Sequence, residues 1–123
     1  MAKTIMIVDD DQAIRYSLGR ILRVDGHTII EADGYKECMK ELSNLGGKVD
    51  LILLDIMMPE QDGIGLFWDI KSAYPDVKII FLSAIVPDER AKYRLRREGH
   101  IPNIKKPFDV EEVRGIVKKT LGE

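Results

Sequence analysis

Cysteine is almost absent from this 123-residue chain: Cys38 stands alone. That excludes an intramolecular disulfide framework and a cysteine metal cage. Histidine is scarce too, with two residues; His27 and His100 fall near strand starts and loops and read as structural or exposed groups. No apolar run is longer than a strand, so nothing is fit to span a bilayer and no membrane insertion is expected. Met1-Ala2-Lys3-Thr4 leads straight into such a run with no leader pattern, which gives a reducing cytoplasm as the expected location. Basic charge is not in excess. The formal net charge is -2, so a global field for direct nucleic-acid binding is missing. A glycine-rich loop after the first apolar run is missing as well. Asp10-Asp11-Gln12-Ala13 stands there, which argues against a backbone cradle for nucleotide phosphates. There is no linker, low-complexity tract or internal repeat.

What remains is enough for one domain with a real core. Hydrophobic residues make up 45% and charged residues 33% of the chain, a globular balance with a heavily charged surface. Ile5-Met6-Ile7-Val8 reads as a strand buried on both faces. Ile14, Leu18, Ile21 and Leu22 then mark one face of a helix, with Gly26 as its stop. Thr28 to Ala32 reads as strand two and Tyr35 to Leu42 as a helix with Cys38, Met39 and Leu42 inward. After Gly46-Gly47, Val49 to Leu54 reads as strand three. A Pro/Gly loop follows, and Asp62 is placed to cap a helix carrying Ile64, Phe67, Trp68 and Ile70, which Pro75 ends. Val77 to Leu82 is strand four, Asp88 to Arg97 a fourth helix, and Asn103-Ile104 a short fifth strand. Asp109 caps a fifth helix through Val110, Val113, Ile116 and Val117. The pattern is (βα)5 with short loops. Right-handed crossovers make that an α/β doubly wound, five-stranded parallel sheet with helices on both faces.

Open sheets of this kind bind ligands outside the carboxyl ends of their strands. Strand one ends at Asp9 and Asp10, strand three at Asp55, strand four at Ser83, and strand five runs into Lys105-Lys106-Pro107. Strand two ends in Ala32 and brings nothing. Two carboxylates about 4 Å apart repel by roughly 4 kcal/mol at an effective dielectric of 20, so the acids call for a cation. Oxygen-only ligation points to Mg²⁺, or a similar hard ion such as Mn²⁺, with open positions that suit a phosphoryl oxygen. Lys106 and Ser83 can serve the other phosphoryl oxygens. Asp55 ends the central strand between these groups, and so is the carboxylate best placed to attack phosphorus.

The motifs Ile7-Val8-Asp9-Asp10, Leu54-Asp55-Ile56-Met57-Met58-Pro59 with Asp62-Gly63, Leu82-Ser83-Ala84 and Lys106-Pro107-Phe108 resemble the receiver domain of two-component response regulators, of the single-domain chemotaxis-regulator type. The resemblance covers residues 1–123 and implies a flavodoxin-like fold with strand order 2-1-3-4-5 and no output domain. It implies that Asp55 accepts a phosphoryl group from a histidine kinase or phosphotransfer protein. It makes Asp10, Asp55 and the backbone carbonyl of Met57 ligands of Mg²⁺, with Asp9 acting through a water. Ser83, Ala84 and Lys106 fall at the family's phosphoryl-binding and switch positions, and the bond before Pro107 at a position typically cis. The implied result is a switch, not an enzyme. Its output surface would be the fourth helix, fifth strand and fifth helix, turned toward an unidentified downstream protein by a monomer or weak dimer.

Two departures from the family pattern carry information. The aromatic side chain that usually rotates inward, three residues before Lys106, is replaced by Asn103. Met57 and Ile85 occupy the variable positions flanking the site; neither can orient a water, which predicts slow loss of the phosphoryl group. Asp11 fits an N-cap; Asp9 and Asp10 share an edge with Asp55 and Lys106, which a cap does not require. Glu89 to Arg97 is either a solvated helix, acidic first and basic last, or a docking face for an acidic partner. Two rival functions stand beside the switch. One is a receiver-like scaffold that is never phosphorylated, although all the acceptor residues are present. The other is a haloacid-dehalogenase-type phosphohydrolase, which needs an acid where Met57 stands.

Overall fold

Unbroken apolar runs form the middle of the sheet. The computed structural model describes residues 2–58, 61–83 and 102–122. The helix expected at 88–97, together with Ala84, Ile85, Pro59, His100 and the side chain of Asp62, lies outside the described residues. Strand β1 (Thr4–Val8) is followed by α1 (Gln12–Val24), β2 (Thr28–Ala32), α2 (Tyr35–Asn44) and β3 (Leu51–Asp55). Two short strands, β4 (Met57–Met58) and β5 (Gln61–Asp62), precede α3 (Gly63–Ala73). After β6 (Lys78–Ser83) come β7 (Asn103–Lys105) and α4 (Val110–Leu121). The main sheet has the order β2-β1-β3-β6-β7, and every neighbouring pair in it is parallel. This is the expected 2-1-3-4-5 order, because β6 and β7 are the fourth and fifth strands of that sheet.

Alternation along each strand sends successive side chains to opposite faces. Met6, Val8, Ile52, Leu54 and Phe81 pack on one face with Cys38 and Leu42 of α2 and Leu66, Phe67 and Ile70 of α3. Ile5, Ile7, Leu51, Leu53, Ile80, Leu82 and Ile104 pack on the other with Leu18 and Leu22 of α1 and Val113 and Val117 of α4. Both faces are covered, which is why β1, β3 and β6 carry no polar alternation. At roughly 1.5–3 kcal/mol for each large side chain fully buried, these two layers outweigh any local preference and make the sheet the rigid frame of the molecule.

Caps place the loops. Asp11 accepts a hydrogen bond from the N–H of Ala13 at the start of α1, and Asp109 accepts one from Glu112 at the start of α4. Gly26, just past α1, has φ +90, a conformation open to glycine with little strain. Arg114 of α4 grips Asp25 with two nitrogens, at 3.0 and 2.8 Å, and so fastens α4 to the end of α1. His27 is buried, with Nδ1 accepting the N–H of Lys3, which makes it a structural group.

The ladder runs later than the sequence pattern suggests at two places. β3 includes Asp55 and β6 includes Ser83. Asp55 stays in register with Leu82, and the next N–H, from Ile56, still donates to the Leu82 carbonyl at 3.2 Å. The segment expected to be a plain loop after Asp55 contains an antiparallel pairing, Met57 with Asp62 and Met58 with Gln61. Close return of the chain explains it. A Cβ on Gly63 would collide with the carbonyl oxygen of Asp55 and the Cα of Ile56, so glycine lets the start of α3 press against the end of β3.

Candidate functional site

The carboxyl ends of β1, β3, β6 and β7 deliver their polar residues to one edge. Asp9 follows β1 directly and is tied to the sheet by its N–H, which donates to the carbonyl of Ala32 at 3.1 Å. It is completely buried. Oδ1 of Asp9 accepts the N–H of Asp11 at 2.9 Å, and Oδ2 accepts the ammonium of Lys106 at 2.7 Å. Its carbonyl accepts Arg15 Nη1 at 2.6 Å. Asp10, the next residue, is exposed.

Asp55 is 2% exposed at the end of the central strand. Its Oδ1 accepts the N–H of Met57 at 3.0 Å, and its Oδ2 lies 3.4 Å from the Lys106 ammonium. Burial is the main influence on its proton affinity and pushes the pKa up to about 6. The Met57 N–H and Lys106 favour the ionised form, and Asp9 opposes it. Lys106 answers in the other direction. Burial works against its charge, but the carboxylates of Asp9 and Asp55 outweigh burial and hold its pKa above the ordinary lysine value. The backbone of Lys106 is fixed as well, because its N–H donates to the Ser83 carbonyl at 2.8 Å. The Lys106–Pro107 peptide bond is cis.

Asp9, Asp10 and Asp55 each offer a carboxylate oxygen, all within 4.8 Å of one another. Oxygens gathered this closely would suit one hard cation, held directly or through a bound water. The donor set is oxygen alone, which fits Mg²⁺ or Mn²⁺ and not a soft metal. The Asp9 oxygens are already engaged, whereas Asp10 faces solvent and Asp55 keeps one long contact. Met57, beside them, is 58% exposed.

Ser83 is 2% exposed, and its hydroxyl donates to Oδ1 of Asn103 at 2.9 Å. The bond follows from register. Phe81 aligns with Asn103 and Ser83 with Lys105, so Asn103 and Ser83 are diagonal neighbours on one face of the sheet. Sequence reasoning singled out both residues for separate reasons and did not pair them; only the β6–β7 register could have done so. It likewise assigned Lys106 to an incoming ligand, without its contacts to both Asp9 and Asp55. Ala84, at the same edge, lies outside the described residues.

The profile of the response regulator receiver domain family matches residues 5–118. The sensor kinase CckA of Brucella abortus (strain 2308) is 33% identical over 118 residues, which is 96% of this chain and 12% of the kinase. Response regulator MprA of Mycobacterium ulcerans (strain Agy99) is 31% identical, over 98% of this chain and 52% of that protein. The chain therefore spans about half or less of the length of these two relatives. The crystal structure of a CheY-like response regulator receiver domain protein from Methanospirillum hungatei JF-1 superposes with a TM-score of 0.88 at 26% identity, covering 99% of this chain and 95% of that one. No helix among the described residues is long and apolar enough to cross a membrane.

Proposed function

Because the chain belongs to the response regulator receiver domain family, we propose that it is a phosphoacceptor switch in which Asp55 takes a phosphoryl group from a histidine kinase or phosphotransfer protein. The observation that carries this reading is the setting of Asp55. It is a buried carboxylate at the end of the central strand, gathered with Asp9 and Asp10 within 4.8 Å and with Lys106 within 3.4 Å.

Each residue has a task in the transfer. An Asp55 oxygen attacks phosphorus of a phosphohistidine donor; an O–P bond forms, the P–N bond breaks, and the departing imidazole takes a proton from water. The Met57 N–H holds Oδ1 of Asp55, which leaves Oδ2, 3.4 Å from the Lys106 ammonium, to attack. Lys106 neutralises charge on the incoming oxygens without a change in its own protonation. Asp10 and Asp55, with the Met57 carbonyl, would hold Mg²⁺, and Asp9 would support it through a water. That ion would supply charge neutralisation for the carboxylates and the phosphoryl oxygens. Once phosphorylated, as an acyl phosphate, Asp55 carries about -1.5 to -2 charges, by analogy with other phosphoryl groups. Ser83, one residue beyond the register partner of Asp55 on the adjoining strand, offers a neutral donor that can turn toward it. The change then passes along β6 to β7 and α4, and to the segment at 88–97, as a contact surface for a downstream protein. The protein would thus be a signalling part and not a turnover catalyst, working in the cytoplasm.

The deciding experiment is phosphoryl incorporation from a small phosphodonor, with and without Mg²⁺, by the wild-type protein and by Asp55→Asn. Label that needs Mg²⁺ and disappears in the variant is the expected result. A folded, Mg²⁺-loaded protein that takes no label would leave a receiver-shaped scaffold instead.

A further inference from the structure

We propose that Asn103 is a positioning residue that latches the Ser83 hydroxyl away from Asp55, so that the protein switches by redirecting one hydroxyl hydrogen bond from the Asn103 amide oxygen to the phosphoryl group. This rests on the phosphoacceptor reading above and adds to it a device built from this chain's own residues. A serine hydroxyl has one proton to donate. Here that proton goes to Asn103 Oδ1 at 2.9 Å, so it cannot at the same time serve an oxygen on Asp55. The two partners are unequal. Ser83 is 2% exposed, and a buried donor does not give up one acceptor without gaining another. Asn103 is exposed on β7, which borders β6 alone in the sheet, so its amide exchanges the serine for water at small cost. The exchange is therefore favourable only when a new acceptor arrives on the Asp55 side.

The position of the latch makes it a transmitter. Ser83 lies one residue beyond Leu82, the register partner of Asp55, and its carbonyl holds the N–H of Lys106. Asn103 is two residues before Lys105 on the outermost strand. Release of the latch frees an amide at the surface of β7. The signal at this edge is a change of hydrogen bonding, and it does not require a large side chain to swing from outside to inside.

The test is binding of trifluoroberyllate, a tetrahedral stand-in for the phosphoryl group, in the presence of Mg²⁺. Calorimetry would give the affinity, and the Asn103 side-chain amide signals would be followed by NMR. Asn103→Leu keeps the size of the side chain and removes the acceptor; it should bind roughly three- to ten-fold more tightly, the scale of one net hydrogen bond. Asn103→Ala serves if the leucine variant folds poorly, and should shift affinity the same way. In a Ser83→Ala background the same Asn103 change should alter affinity by less than about two-fold. The Asn103 amide signals should move on binding in the wild-type protein and stay in place in Ser83→Ala. An equal change in both backgrounds, or unchanged affinity in the Asn103 variants, would overturn the latch while leaving the phosphoacceptor reading intact. Failure of the wild-type protein to bind trifluoroberyllate would overturn that reading and the latch with it.

Discussion

Removing the charge of Asp55 should stabilise the metal-free protein, and the gain should depend on pH. A rise in pKa from 3.8 to about 6, at about 1.36 kcal/mol per pKa unit, puts the cost of keeping Asp55 ionised in the folded state at about 3 kcal/mol. Solvent does little to screen this, since the residue is 2% exposed. The folded-state pKa lies above the unfolded one, so the cost is fully present above about pH 6 and fades as pH falls toward 4. By pH 5 about half of it is gone. Asn at this position keeps an oxygen for the Met57 N–H, and Lys106 keeps Asp9 at 2.7 Å, so little else is lost. Urea unfolding of wild-type protein and Asp55→Asn, in a chelating buffer at pH 8 and at pH 5, reads the difference. The variant should be more stable by about 2–3 kcal/mol at pH 8 and by roughly half that at pH 5. A variant less stable than wild type at pH 8, or a gain equal at both pH values, would refute the claim that burial dominates at Asp55. Millimolar Mg²⁺ should narrow the gap, because a cation held by the carboxylates stabilises the wild-type fold by mass action.

Three further outcomes follow from the same geometry. Lys106→Met leaves the fully buried Asp9 without its ammonium partner and should cost about 3 kcal/mol in urea unfolding without divalent ions; wild-type stability would show that Asp9 does not need the pair. Gly63→Ala gains about 1 kcal/mol of helix preference, but its Cβ meets backbone of Asp55 and Ile56 that cannot swing aside. A net loss of about 1–3 kcal/mol and weaker Mg²⁺ binding by titration are expected, and a stabilised variant would mean that the chain end of β3 is free to shift. Met57 is an exposed thioether beside Asp55 and offers no strong hydrogen bond to an attacking water. Met57→Asn should therefore shorten the lifetime of the phosphorylated protein at least several-fold, and a much longer lifetime would contradict the reading.

The parts legible in the sequence are those that one strand or one helix encodes by itself. Ile5 to Val8, Leu51 to Leu54 and Ile79 to Leu82 announce buried strands because both of their faces are apolar. Asp11 and Asp109 announce helix starts because a cap needs only the next turn. From those pieces the crossover rule brings the residues at the carboxyl ends of β1, β3 and β7 to one edge, and Asp9, Asp10, Asp55 and Lys106 do meet there. The rest depends on register and on close approach, which no local pattern records. The Ser83–Asn103 bond exists because Phe81 aligns with Asn103, and parallel strands joined by a long connection carry no turn that would reveal that alignment. The Met57–Asp62 pairing joins two segments on either side of Pro59, a residue that by itself suggests only a loop. The fit of Gly63 against Asp55 becomes visible only when the helix has been laid on the strand.

In the proposed phosphoacceptor switch, Asp9 and Asp55 both stand at the carboxyl ends of buried strands, so their unequal surroundings have to decide which of them is suited to bond to phosphorus. Asp9 has the better partners: a 2.7 Å contact with Lys106 and a backbone N–H at 2.9 Å, one on each oxygen. Both of its oxygens are engaged, and any reaction there would break a short charge-assisted hydrogen bond. Asp55 shares the same ammonium at 3.4 Å, beyond the 2.7–2.9 Å of a strong charge-assisted bond, and burial raises its pKa to about 6. Ionised Asp55 is thus the less well compensated of the two charges, with one oxygen held by backbone and the other nearly bare. Two events relieve it: arrival of a cation, or conversion of the bare oxygen into the bridging oxygen of an acyl phosphate. The order of partners around Lys106 therefore favours Asp55 as the acceptor and Asp9 as the residue that keeps the lysine in place, a division that strand position alone does not provide.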